Sequence, residues 1–339
     1  MKRLFIRLGR LWVALVTDDE RVMGYWEAVF TGWPQVRVEG AGESGVEADL
    51  VLRIYLADAL PSEPEGEVVY EEAVAEGPEG LGCLRVYEGE GGAVLVYPER
   101  AWVEVPLVAG GEAEGWVTLP VLAYGALEAL TFTCLAPMLR RRGYYFLHAF
   151  AAAWAGEIVL LLGASGSGKT TTGLSLLLAG WGLVTNDVVL LSAEAEGVVA
   201  WPTPCSLSVT AETMALLPVL REVPVQREAN RFNQKFNCPV TRMAWLRWGE
   251  AGRVRHLVWP RVKVEAGDNR LGRCPRPLAL ARLLGDSMDR WDGTQQASHL
   301  ALLTALARGS DAWELTLGGE LEGVPKLLQQ LLIKEEDHV

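Results

Sequence analysis

One stretch of this chain combines residue type and spacing closely enough to specify a chemistry: Gly163-Ala164-Ser165-Gly166-Ser167-Gly168-Lys169-Thr170. It satisfies G-x-x-x-x-G-K-[ST], in which glycines let successive backbone N–H groups turn inward around an anion. In such a loop Lys169 bridges β- and γ-phosphate oxygens and the Thr170 hydroxyl binds Mg²⁺. Ser165 and Ser167 supply side-chain hydroxyls to the nucleotide site or serve equally as small loop fillers, and Thr171 completes the nucleotide contacts. The expected ligand is a nucleoside triphosphate.

Phosphoryl transfer also needs an acid near the metal, and Asn186-Asp187, inside the apolar run Leu183 to Leu191, offers one. A carboxylate buried at Asp187 is costly unless a metal or donor compensates it; the alternative is an Asp in a tight turn that caps a strand. His148, one of four histidines, follows the apolar Tyr144 to Leu147 and is either a site residue or a satisfied core histidine.

The elements that must hold these groups are legible around them. Glu157 to Leu162 predicts a buried strand leading into the loop, and Thr171 to Ala179 a helix leaving it, ended by Gly180 in a left-handed conformation. Further strands are expected at Tyr144 to Leu147, Leu183 to Leu191 and Val240 to Trp248. Helices are expected at Leu278 to Leu284, Ser298 to Ala307 and Val324 to Ile333, the last with an apolar stripe of Leu327, Leu328, Leu331 and Leu332. Before residue 118 the pattern changes to short β-like runs, Leu50 to Leu56, Leu84 to Tyr87, Ala93 to Tyr97 and Trp102 to Leu107, broken by acidic, Gly-rich turns. This predicts a β-rich N-terminal domain over 1–118 and a P-loop domain over 119–339, with no internal repeat.

The whole chain sets bounds. It has 339 residues, half of them hydrophobic, enough for two globular units. A formal charge of −12 argues against a general nucleic-acid binder. Basic residues nevertheless outnumber acidic ones from Arg221 to Arg276, which reads as a face for phosphates or an acidic partner, or as a solvated rim. Lys235 stands out there as a candidate mobile cation. Five scattered cysteines without CxxC pairs suit a reducing cytoplasm and no zinc site, and Arg7 and Arg10 interrupt the apolar start, so no secretion signal is read. Leu119 to Leu139 has the length of a membrane span, but Glu128 at its middle, Pro120 and Gly125 predict a buried helix instead. A homo-oligomer is compatible with the composition.

The segment Gly143 to Leu191 resembles the kinase domain of HPr kinase/phosphorylase, and more closely the HPr-kinase-related proteins of modified-peptide biosynthesis, lasso-peptide kinases among them. The likeness rests on Leu147-His148, the P-loop Gly163 to Thr170, Gly180 to Leu183 and a two-residue acidic motif aligned on Asn186-Asp187. It continues more weakly through Cys238-Pro239, Trp245-Leu246-Arg247-Trp248 and Trp313-Glu314-Leu315. The resemblance implies an α/β P-loop kinase core of the HPr kinase and phosphoenolpyruvate carboxykinase-like type, with ATP and Mg²⁺ as cofactors and a Ser hydroxyl as acceptor. It also implies Lys169 and Thr170 in the phosphate and metal roles, Asp187 as metal-linked acid, and His148 beside the reacting phosphate. The departure is Asn186, where the family has an acid credited with activating the acceptor. An amide cannot take a proton, so Asp187 or His148 must serve, or the chemistry is slow.

The function expected is therefore an ATP-dependent kinase acting on a Ser or Thr hydroxyl of a peptide or small protein. A small-molecule kinase with a serine-like substrate and a catalytically weak nucleotide-binding regulatory module are the alternatives. A transport ATPase lacks its LSGGQ-type segment here, and a GTPase its NKxD motif.

Overall fold

The first residues of the chain mix exposed cations with buried apolar side chains: Lys2, Arg3 and Arg7 are exposed while Leu4, Phe5, Ile6 and Leu8 are buried. The basic, apolar start is thus a hairpin of β1 (Lys2–Leu8) and β2 (Leu11–Thr17), with Arg10 in the turn. In the computed structural model the described residues are 1–38, 45–72, 81–89, 91–123, 125–223, 235–263, 267–285, 291–318 and 320–333. They form a mixed α/β protein with two large mixed sheets, one curled into a half-barrel. Contacts divide them into two units, one holding residues 1–144 with 291–295 and the other holding the remainder.

The first unit continues with α1 (Glu20–Phe30), β3 (Val36–Val38), β4 (Leu50–Leu56), β5 (Val68–Glu71), β6 (Arg85–Gly89), β7 (Gly92–Tyr97), β8 (Ala101–Pro106), β9 (Gly111–Val117) and α2 (Ala126–Arg140). Its nine strands run in the order β3-β1-β2-β4-β9-β8-β7-β6-β5. One face is buried by α1 and α2, which meet through an edge-on Phe30–Phe132 contact and a buried hydrogen bond from Trp26 Nε1 to Thr131 Oγ1 at 3.1 Å. The long helix expected over 119–139 is instead a 3₁₀ turn at Leu119–Leu122 followed by α2, because Pro120 tightens the start and Gly125 takes a φ of +83°. Since α2 packs on β4 and β8, the division by contacts falls at Tyr144 rather than at 118.

The second unit contains β10 (Tyr144–His148) from Tyr145 onward, β11 (Phe150–Trp154), β12 (Glu157–Leu161), α3 (Lys169–Leu178), β13 (Gly182–Thr185), β14 (Val188–Glu194), β15 (Gly197–Trp201), β16 (Leu207–Thr210), α4 (Ala211–Leu216), β17 (Lys235–Cys238), β18 (Arg247–Trp248), β19 (Gly252–Val262), β20 (Arg270–Arg273), α5 (Arg276–Gly285), α6 (Gln296–Gly309), β21 (Asp311–Leu317) and α7 (Gly323–Ile333). Its large sheet has the order β10-β14-β15-β19-β12-β11-β13-β18, with β21 joining β19 and β20 joining β21. Leu283, Leu302, Leu303 and Leu306 of α5 and α6 bury one face in a core with Leu160, Leu162, Val184 and Leu257. On the other face α3 lies against β11, where Gly173 permits contact with Phe150: a Cβ on Gly173 would meet the ring at 2.4 Å.

Two expected strands differ. Leu183 to Leu191 is split into β13 and β14, and the break falls on Asn186-Asp187. Val240 to Trp248 is a 3₁₀ turn at Val240–Arg242 and the two-residue β18. No helix among the described residues is long and apolar enough to cross a membrane.

Candidate nucleotide-binding site

The register of three strands sets out the site. β11 is antiparallel to both β12 and β13, pairing Phe150 with Leu161 and Ala151 with Thr185. β12 and β13 therefore run in the same direction and end level with each other across β11. From the end of β12 the chain enters the P-loop, from the end of β13 it enters Asn186-Asp187, and His148-Ala149 lies just before β11. β19 and then β21 run parallel to β12, so the loop sits at the carboxyl ends of parallel strands, where open α/β sheets bind ligands.

Loop geometry follows from the glycines. Gly163, Gly166 and Gly168 have φ of +122°, +79° and +99°, a region that disfavours side chains. A Cβ on Gly168 would also meet Leu317 at 2.9 Å, and one on Gly163 would approach Ser167 Oγ and Trp259. Gly168 caps α3 without a side-chain bond, so the first-turn N–H groups and the helix dipole face the loop. Lys169 is 7% exposed and folds back so that Nζ donates to the carbonyls of Gly163 and Ala164. Ser167 Oγ is buried without a hydrogen-bond partner among the described residues, an arrangement that costs about 1–3 kcal/mol unless an acceptor arrives. A phosphate oxygen suits both the Ser167 hydroxyl and the loop's inward N–H groups. The residues present fit a triphosphate.

Thr170 is half-buried at the start of α3. The Thr171 hydroxyl is bonded to that of Thr213 at 2.7 Å, and Thr213 also contacts Thr210, which caps α4. Thr210 pairs with Lys235 across the β16–β17 ribbon, so a chain of hydroxyls ties that ribbon to the first turn of α3. Nothing local in the sequence signals the Thr171–Thr213 contact, which spans 42 residues.

His148 Nδ1 lies 3.3 Å from Asp187 Oδ1, and the Ala149 N–H donates to the Asp187 carbonyl at 2.9 Å. Asn186 and Asp187 differ in burial. Asp187 is about half exposed, because it occupies the break after β13, whereas Asn186 is 6% exposed. Asn186 Nδ2 donates to the Ser206 carbonyl at 3.1 Å, its backbone N–H faces Cys205 Sγ, and its buried Oδ1 has no partner among the described residues. The Thr185 hydroxyl closes the turn onto the Val188 carbonyl.

Among the described residues, the basic side chains of β19 fall at both of its ends. Arg253 and Arg255 stand at the amino end of β19, where Arg255 pairs with Glu157, whereas Arg261 lies at the carboxyl end and pairs with Glu314. Arg227, Arg231 and the run 232–234 lie outside the described residues. Comparison with protein-family models and with curated protein sequences gave no match.

Proposed function

We propose that this chain is an ATP-dependent kinase that phosphorylates a Ser or Thr hydroxyl of a peptide or small protein. What carries the reading is the placement of the P-loop and the His148–Asp187 pair at the same end of β12, β11 and β13. The likeness of Gly143 to Leu191 to HPr-kinase-related proteins supports it.

When bound, ATP with Mg²⁺ supplies the transferable phosphoryl group and part of its charge neutralisation. The chain's own groups then have definite tasks. First-turn N–H groups of α3 and Lys169 bind phosphate oxygens, and Lys169 exchanges its two loop carbonyls for them. Ser167 Oγ donates to the same anion, and Thr170 offers its hydroxyl to the metal. Asp187, exposed enough to meet an acceptor, takes the proton of the incoming hydroxyl, while His148, through Nδ1, orients the carboxylate. Asn186 Oδ1 accepts a hydrogen bond but no proton and is buried, so the base is left to Asp187.

One observation favours a second reading, a nucleotide-binding module with weak chemistry: the buried residue beside Asp187 is an amide. Incubation with γ-labelled ATP, Mg²⁺, Ser-containing peptides and free serine, followed by mass spectrometry, separates the readings. Label on a peptide supports the kinase, label on serine the small-molecule variant, and tight nucleotide binding without label the module. Unchanged ATP affinity in Lys169→Ala would overturn all three.

A further inference from the structure

A buried donor beside the P-loop stands without an acceptor. Trp259, in β19, is 4% exposed, and its indole Nε1 has no hydrogen-bond partner among the described residues. Buried indole N–H groups ordinarily find one, because leaving such a donor unpaired is costly. The strands set its place. Leu161 pairs with Val258 and the Leu162 N–H donates to the Val258 carbonyl at 2.8 Å, so Trp259 stands where the chain leaves β12 for the loop. Arg282 lies over the ring, 5.5 Å from its centroid, and is itself held by Glu314 at 2.5 Å. Towards the loop, the indole Cδ1, which is bonded to Nε1, comes within 3.7 Å of where a Cβ on Gly163 would stand. With no Cβ there, the indole edge lies against the backbone of Gly163, whose carbonyl accepts from Lys169 Nζ.

We propose that Trp259 is a positioning residue of the nucleotide site: when Lys169 leaves the Gly163 carbonyl for a phosphate oxygen, that carbonyl turns to accept from the Trp259 indole N–H. The inference rests on the P-loop reading of this site. Lys169 Nζ donates to the carbonyls of Gly163 and Ala164, so a lysine that swings to a triphosphate strips both of their donor. An unpaired donor already stands beside the first of them. The carbonyl is the partner able to move. Trp259 is fixed in the core with Leu162 and Leu257 and under Arg282, whereas Gly163, at a φ of +122°, has no side chain to hold its peptide in place. The exchange keeps the loop paired in its nucleotide-bound form, and one hydrogen bond gained there strengthens triphosphate binding about two- to tenfold.

The test follows the Trp259 indole proton by NMR in the full chain carrying nitrogen-labelled tryptophan. Its resonance is assigned by its absence from Trp259→Phe and by its displacement in Arg282→Gln. Spectra are compared for wild type without nucleotide, wild type with ATP and Mg²⁺, and nucleotide-free Lys169→Met, whose side chain keeps its length but cannot donate. A hydrogen bond moves an indole proton downfield, and the shift is expected both in ATP-bound wild type and in nucleotide-free Lys169→Met. Trp259→Phe should weaken ATP binding about two- to tenfold. It should also lose more stability in the Lys169→Met background than in wild type, a coupling that lost ring packing by itself does not produce. A shift with ATP but none in Lys169→Met assigns the donor to a phosphate oxygen and overturns the exchange. Additive losses of stability overturn it, as does an unmoved indole proton in wild type that binds ATP, and both results leave the P-loop reading intact. Absence of ATP binding by wild type overturns that reading and this inference with it.

Discussion

His148 Nδ1, just before β11, and Asp187 Oδ1, just after β13, are 3.3 Å apart, and the Asp187 carboxylate remains about half exposed. The pair can present a carboxylate of fixed orientation to an incoming hydroxyl. Asp187→Asn is expected to lower the single-turnover rate by about 10²–10⁴, the usual worth of general-base help. His148→Asn should cost less, because it removes the orienting partner and leaves the base. ATP affinity measured without acceptor should change little in His148→Asn, and a rate equal to wild type in Asp187→Asn would remove Asp187 from the mechanism.

Restoring an acid at position 186 should not rescue activity. Asn186 Nδ2 donates to the Ser206 carbonyl, so Asn186→Asp sets a carboxylate oxygen against a carbonyl oxygen in a site only 6% exposed. The new acid has its folded-state pKa raised by burial, binds more protons folded than unfolded, and therefore loses stability as pH rises. Its melting temperature should fall further below wild type at pH 8 than at pH 5, by a loss of about 1–3 kcal/mol. Faster transfer with unchanged stability would show that the Ser206 contact is dispensable.

Gly173 lets α3, and with it the P-loop, lie on β11. Gly173→Ala drives a Cβ to 2.4 Å from the Phe150 ring, and overpacking of this kind costs about 1–3 kcal/mol. The helix has to shift, so ATP affinity should fall together with stability. Phe150→Leu in the same chain should recover part of both, and a double-mutant cycle measures that coupling.

His256 gives a pH dependence of stability. It is 1% exposed and accepts from Trp313 Nε1 at 3.3 Å; burial, partly opposed by Asp311, lowers its pKa to about 4. The folded state thus binds fewer protons than the unfolded state between about pH 4 and 6.5, and stability falls as pH drops through that window. Replacing it with Gln, which keeps an acceptor but does not titrate, should flatten the melting-temperature profile there. Identical slopes in the two proteins would remove His256 as the source.

Local demands of the chain determined the P-loop and its flanks. Glu157 to Leu162, three glycines that take positive φ, and the helix after Lys169 lie within one contiguous segment, and each rests on backbone geometry or periodicity that neighbouring residues set. Leu50–Leu56 matched its strand for the same reason. Tertiary structure alone decided which of Asn186 and Asp187 is buried, because the break between β13 and β14 is imposed by pairing with β11 and by Ser206, outside any local pattern. It also decided that His148 meets Asp187, that Thr171 meets Thr213, and that α2 packs on β4 and β8. These contacts join residues distant in the chain, and strand order, which composition and periodicity do not encode, sets them.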